Sequence, residues 1–235
     1  MLPKIATPTF ELNLPSTGEK ILYRPFLVKE EKALLFAKQS GERVDIINAI
    51  KAVISSCVFN EDFDIDKITV FDMEYLFIKI RAMSVGNEIE FTVQDSTDEQ
   101  TYTFTLNLDE VEVKFPENQK KEVLLDDNLG IMMKYPTMDL ADKIAEKTDV
   151  IDVAFETIKN CIDYVFDRET TYSWDTSTEE EKDEFLECLS KSQYEQLISF
   201  FQKIPKIEHV FEYQNSLDED KKVYFRKIED FFQLG

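Results

Sequence analysis

Glycine is scarce in this chain. The five glycines in 235 residues stand at 18, 41, 86, 130 and 235 and never cluster. A P-loop or a dinucleotide fingerprint needs several close together, so that backbone N–H groups reach a phosphate, and both are excluded. Histidine is scarcer still. The single His209, flanked by Val210 and Phe211, offers no base to a nucleophilic triad and reads as structural, and no Gly-x-Ser-x-Gly elbow occurs. The three cysteines, Cys57, Cys161 and Cys188, lie far apart without a Cys-x-x-Cys pair. They read as buried free thiols in a reducing compartment. No run approaches the roughly 18 apolar residues of a membrane span. The opening Met1-Leu2-Pro3-Lys4-Ile5 lacks the apolar stretch of a signal peptide. These absences predict a soluble protein that is intracellular when made.

Positive charge is also short. Lys and Arg total 27 against 48 Asp and Glu, a net charge of −21. Such a surface repels nucleic-acid phosphate and anionic lipid. It serves either as a solubility device or as a face for a basic partner. The surplus is uneven: residues 1–60 hold 6 acids and 8 bases, a balance of +2, and the remaining 175 residues carry −23. Asp62-Phe63-Asp64-Ile65-Asp66 spaces carboxylates as a calcium loop would. The glycine and glutamate that such a loop needs at its sixth and twelfth positions are Lys67 and Met73 instead. Carboxylate pairs for glycoside hydrolysis could be drawn anywhere in so acidic a chain, which empties the idea. Glu179-Glu180-Glu181 and Asp218-Glu219-Asp220 read as acids at helix N-termini. No catalytic residue, metal site, cofactor or small-molecule substrate is predicted.

What the chain has in plenty is aromatic surface, 19 Phe and 9 Tyr, which argues for a packed core. Phe10, Leu12 and Leu14 alternate up to the turn Pro15-Ser16-Thr17-Gly18, and Ile21-Leu22-Tyr23 returns as a hairpin strand. Pro25 ends that strand, and a helix begins near Val28 with Glu30 and Glu31 in its first turn and Ala33–Ala37 as its apolar face. Helical spacing recurs at about 43–57 and from Val70 to Met83, the latter capped by Thr69 and stopped by Gly86. Period two then takes over at Ile89–Val93, Tyr102–Leu108 and Val111–Phe115, predicting a three-segment antiparallel meander. Weaker strands are expected at Val123–Leu125 and Ile131–Tyr135. Helices are expected at 138–146, 150–165, 178–190, 193–204 and 220–232, with a short strand at His209–Tyr213. Phe231-Phe232 continues a stripe with Tyr224, Phe225 and Ile228 and reads as core, with an exposed anchor as the alternative. The sum is an α+β fold, helical N- and C-terminal parts flanking a small antiparallel β-meander. Its parts are residues 1–86 (hairpin plus three helices), 87–136 (β region) and 137–235 (helical region), as separate units or one composite domain.

The segment Arg24-Pro25-Phe26-Leu27-Val28-Lys29-Glu30-Glu31-Lys32 resembles the N-terminal signature of the baseplate hub and hub-assembly proteins of T-even-like contractile-tailed phages. Phe71–Gly86 is a second match. Leu108–Val113, Met133-Lys134-Tyr135-Pro136 and Phe225–Phe232 are weaker ones in the same order. The resemblance implies a structural or assembly protein of the phage tail that is not an enzyme. It would be made in the host bacterial cytoplasm and carried in the virion baseplate if retained. Some relatives carry cysteine pairs in the middle β region; this chain has no cysteine between Cys57 and Cys161. The partners implied are other baseplate and tail-hub proteins, with no nucleic acid and no membrane insertion. The near-neutral N-terminal hairpin and first helix, together with the Phe71–Gly86 helix, are the expected contact region, through Arg24, Phe26, Lys29, Lys32, Lys79 and Arg81, with Lys29, Lys32, Lys79 and Arg81 setting orientation. Two other readings stand beside it: a tail-assembly chaperone absent from the virion, and a cell-wall hydrolase of the hub.

Overall fold

In the computed structural model, which describes residues 6–145 and 147–231, the N-terminal alternation folds as expected. β1 (Phe10–Asn13) pairs antiparallel with β2 (Lys20–Tyr23), Phe10 opposite Tyr23. Gly18 takes the left-handed conformation the turn requires, at φ 74°. Three helices follow: α1 (Val28–Ser40), α2 (Arg43–Cys57) and α3 (Val70–Val85), with α1 packed on α2 and α2 on α3. Gly41 ends α1 in the left-handed region, its N–H donating to the Lys38 carbonyl. Thr69 caps α3 by accepting the Asp72 N–H at 3.2 Å. The fully buried Asp72 carboxylate in turn accepts from Ser16 N, Ser16 Oγ and Thr69 Oγ1, which ties the hairpin turn to the start of α3.

β3 (Glu88–Gln94) and β4 (Thr101–Asn107) form the second hairpin, Phe91 opposite Phe104. The third segment of the expected meander does not join it. A turn of 3₁₀ helix at Leu108–Glu110 diverts the chain, and only β5 (Val113–Lys114) is extended. Next come β6 (Glu122–Leu124), β7 (Gly130–Met133), α4 (Met138–Ala145) and α5 (Val150–Cys161). The helix expected over 150–165 stops four residues early. Ile162–Phe166 is β8, because its aromatic and β-branched run fills the slot between β7 and a strand that alternation did not reveal, β9 (Thr171–Ser173). α6 (Glu179–Glu187) and α7 (Lys191–Phe201) each begin with a capping box, Thr178 with Glu181 and Ser190 with Gln193.

The chain ends on β10 (Lys206–Ile207), β11 (His209–Gln214) and β12 (Asp220–Phe225), then a 3₁₀ turn at Ile228–Phe231. The helix expected over 220–232 is therefore a strand and a short turn. Val223 and Phe225 face inward on a period of two, and the Asn215–Glu219 turn folds β12 back on β11, Phe211 opposite Val223. Phe231 is core as expected, and Phe232 lies outside the described residues. The architecture is α+β, with seven α-helices and small antiparallel sheets among the described residues.

The residues group into two compact units. One comprises the described residues up to Lys114 together with those from Lys206 on; the other is Phe115–Pro205. The chain leaves the first unit and re-enters it at adjacent points, since β10 pairs with β5. In the first unit Phe91 meets Phe211 and Phe225 edge-on at centroid distances of 5.2 and 4.9 Å, joining the two hairpins over a core that includes Ile78, Leu106, Leu108 and Ile207. In the second, the sheet order is β6-β7-β8-β9, and Ile131, Met133, Ile158, Cys161, Leu197 and Phe200 are buried together. Gly130 leaves room for the Phe166 ring, which a Cβ at this position would push aside.

A polar network fastens the tips of the first unit's hairpins. Asp95 accepts from Tyr213 Oη at 2.9 Å and from Asn215 Nδ2 at 3.3 Å, and Asp98 accepts from Ser216 N at 3.0 Å and Ser216 Oγ at 2.7 Å. The Thr97 N–H, followed by Tyr213 and Asn215, holds the Asp95 carboxyl below its usual range against the pull of burial. Burial raises Asp98, but the Tyr102 hydroxyl and the Gln100 and Ser216 donors outweigh it and leave this carboxyl depressed too. Burial and the Asp95 bond push the Tyr213 phenol up to about 12. Groups depressed on folding stabilise above their unfolded pKa, near 4 for Asp, and that stability is lost as pH falls through the folded values. Tyr213 acts at the other end, losing its contribution as pH rises from about 10 towards its folded value. Urea melts are therefore expected to show falling stability below about pH 4. Asp95→Asn/Asp98→Asn should flatten that acid limb, and an unchanged limb would show that the network carries none of it.

Candidate docking surface

The signature segment is built around one guanidinium. Arg24 follows β2, and Pro25 turns the chain away from the strand. Arg24 Nη2 donates to Glu30 Oε1 at 3.0 Å and to the Ser56 carbonyl at 2.9 Å; Nη1 donates to the Pro25 carbonyl at 2.9 Å and lies 3.5 Å from Cys57 Sγ. Glu30 Oε2 accepts the Leu27 N–H at 2.7 Å, so the same carboxylate caps α1. One ion pair thus joins the end of β2, the start of α1 and the end of α2. Burial works to raise the Glu30 pKa, but Arg24, the Leu27 N–H and Lys29 outweigh it, and the carboxyl sits below its ordinary range. Burial pushes the Cys57 thiol up, keeping it an unreactive thiol.

The six residues expected to meet a partner divide sharply. Arg24 and Phe26 are turned inward: Phe26 is in the core, and its N–H donates to Ser84 Oγ at 2.9 Å. Arg81 is buried, which lowers its pKa, and its Nη1 lies 3.5 Å from the Gly86 carbonyl. Lys79 donates to the Leu108 and Asp109 carbonyls at 3.1 Å each and lies over the Tyr75 ring; burial lowers its pKa, opposed by Asp109 and Glu112. These four hold the unit together. Lys29 and Lys32 stand on the exposed side of α1, Lys29 with 72% of its side chain accessible.

Beside those two lysines lies an exposed apolar surface that includes Leu35 and Phe36, two residues of the run expected as the apolar face of α1. α1 buries Glu30, Leu34 and Ala37 on one face. On the other it shows Val28, 66% exposed, and Phe36, 70% exposed, with Leu35 between them. Val28, Lys32, Leu35 and Phe36 recur at helical spacing, so they share one stripe. The Phe26–Ser84 bond brings the start of this helix to the end of α3, where Met83 and Val85 are also exposed. The clue was present in Ala33-Leu34-Leu35-Phe36-Ala37: five consecutive apolar residues cannot all face one way on a helix.

Among the described residues no group of three or more His, Cys, Asp or Glu is placed to hold a metal ion, and no helix is long and apolar enough to cross a membrane. What the surface can offer is contact: exposed apolar area with Lys32 within it and Lys29 beside it, on a helix fixed at its base. Comparison with curated proteins and with solved structures found no match. A family model described as T4 bacteriophage base plate protein matches residues 7–233, nearly the whole chain. The chain belongs to the T4 bacteriophage base plate protein family.

Proposed function

We propose that this protein is a component of the baseplate hub, or a factor in its assembly, that works by docking another tail protein onto the outward face of α1. The observation that carries the reading is the apolar stripe Val28, Leu35 and Phe36 beside Lys29 and Lys32, held on a helix whose base is fixed by Arg24 and Glu30. A stripe that the described residues leave exposed gains from a partner that buries it. The partner that fits presents an apolar socket with acidic residues at its rim, so that the two lysines set orientation and encounter rate while Phe36 and Val28 supply affinity. The reading assigns no reaction to the chain, places it in the host cytoplasm during assembly, and gives it neither nucleic acid nor membrane as a ligand. Mass spectrometry of purified virions separates its two forms. A stoichiometric level of this protein is the expected result and marks a hub subunit; its absence from virions that require the gene would replace that with an assembly chaperone.

A further inference from the structure

The second unit contains a cleft of about 350 Å³ walled by Leu129, Val165, Trp174 and Phe185 and edged by Asp167, Tyr172, Ser177 and Glu181. That volume falls within the range of small-ligand sites, about 300–1,000 Å³. We propose that this cleft receives a lysine or arginine side chain carried by a partner protein. It lies in the other unit from the α1 stripe and stands independently of the docking role given to that stripe.

Three observations favour this occupant. The charged residues lining the cleft, Asp167 and Glu181, are both acids. Nearby cations are engaged elsewhere: Arg168 Nη2 donates to the Asp127 carbonyl at 3.2 Å, and Lys159 pairs with Asp183 at 2.8 Å. The walls are aromatic and aliphatic, with Trp174 and Phe185 in an edge-on pair at 5.7 Å and Tyr172 49% exposed. Such walls suit the methylene stem of a long basic side chain, and ring faces attract its charged end. A phosphate or carboxylate would meet only like charge, and a neutral aliphatic group would offer the two carboxylates no counter-charge.

The lining is also set before any ligand arrives, which spares ordering cost on binding. The Trp174 indole N–H donates to the Lys159 carbonyl at 2.8 Å. Tyr172 Oη donates to Asp167 Oδ2 at 2.8 Å, and Asp167 Oδ1 accepts the Glu169 and Thr170 N–H groups. Those backbone donors, with the Tyr172 hydroxyl, keep the Asp167 carboxyl below its usual range and therefore charged at neutral pH. Glu181 accepts the Thr178 N–H at 2.8 Å as part of its capping box.

Trp174 is the only tryptophan in the chain, so its fluorescence reports on this cleft alone. The full chain is titrated with the tripeptides acetyl-Ala-Lys-Ala-amide and acetyl-Ala-Arg-Ala-amide, and with the neutral norleucine analogue. The expected result is a saturable change with both basic peptides and affinity at least tenfold weaker for norleucine. Asp167→Asn and Glu181→Gln keep an acceptor for the turn and the capping box while removing charge. Together they should weaken the basic peptides at least tenfold and leave norleucine unchanged. Glu180→Gln/Glu184→Gln removes the same charge outside the cleft and should change nothing. Thermal melts check each variant, and Glu181→Gln alone decides the matter if the pair does not fold. No saturable response to the basic peptides, equal binding of norleucine, or equal loss in the control pair would overturn the proposal.

Discussion

Arg24→Ala should be the most damaging single substitution outside the apolar core, lowering stability by about 3–5 kcal/mol, the usual result of removing one partner from a buried ion pair. The mechanism is specific. The Arg24 and Glu30 side chains are only 11% and 6% exposed, so the variant strips the Glu30 carboxylate of its shielded cation, leaving it the exposed Lys29 and the Leu27 N–H, and leaves two backbone carbonyls without their donor. Against a total stability of about 5–15 kcal/mol such a loss is a large fraction. The effect is pH-dependent in a definite sense. The Glu30 carboxyl is depressed on folding, so the pair's contribution is full above the unfolded Glu value near 4.3 and shrinks as pH falls through the folded value. Arg24→Met/Glu30→Met removes both charges and should cost clearly less than the sum of the single losses, with a coupling of about 1–3 kcal/mol. Chemical unfolding at pH 7 and pH 4 measures all of this. Additive losses, or an Arg24→Ala midpoint within error of the parent, would show that the ion pair is incidental.

Val28→Glu/Phe36→Glu should do the opposite, leaving the fold intact and removing the capture of a partner. Both side chains are exposed, glutamate is a good helix former, and an acid at the first helical position favours the dipole, so the stability change should stay within about 0.5 kcal/mol. An aromatic anchor at the centre of an interface typically carries about 2–4 kcal/mol, so affinity for the partner should fall roughly 30- to 1,000-fold. Lys32→Glu, within the same stripe, should act mainly by slowing association, with an effect that weakens as salt is raised; Lys29 is kept, because its Nζ pairs with Glu30 at 3.3 Å.

The contrast between these substitutions bears on what a sequence can reveal. Period two at Ile89–Val93 and Tyr102–Leu106 marked a hairpin because each face of that strand pair has a single environment. Thr69 with Asp72 marked a helix start because capping is local chemistry. Ile162–Phe166 was misread because its choice between helix and strand depends on β7 and β9, which supply its ladder, and β9 is itself only three residues long. β12 was misread because Asp220-Lys221-Lys222 has the composition of a helix, whereas the Asn215–Glu219 turn and the aromatic cluster around Phe91 decide its conformation. At the candidate site, the residues expected to meet a partner divide once folded: Phe26 and Arg81 are buried, and Lys29 and Lys32 face solvent. Arg24 and Lys79 read as surface charge until the fold tied them to Glu30 and backbone carbonyls, and Arg81 until the fold buried it. Phe36 read as core until the fold left α1 with one covered face. Burial of a charge and exposure of a ring are tertiary outcomes, and spacing along the chain does not encode them.

If docking runs through the outward face of α1, charging that face should stop tail assembly. Infecting cells with phage whose own copy carries Val28→Glu/Phe36→Glu, then counting complete tails in lysates by negative-stain electron microscopy, tests it most directly. Complete tails are expected to become rare while the variant accumulates as a folded protein. Complete tails at the parental number, with the variant protein confirmed in the cells, would contradict it.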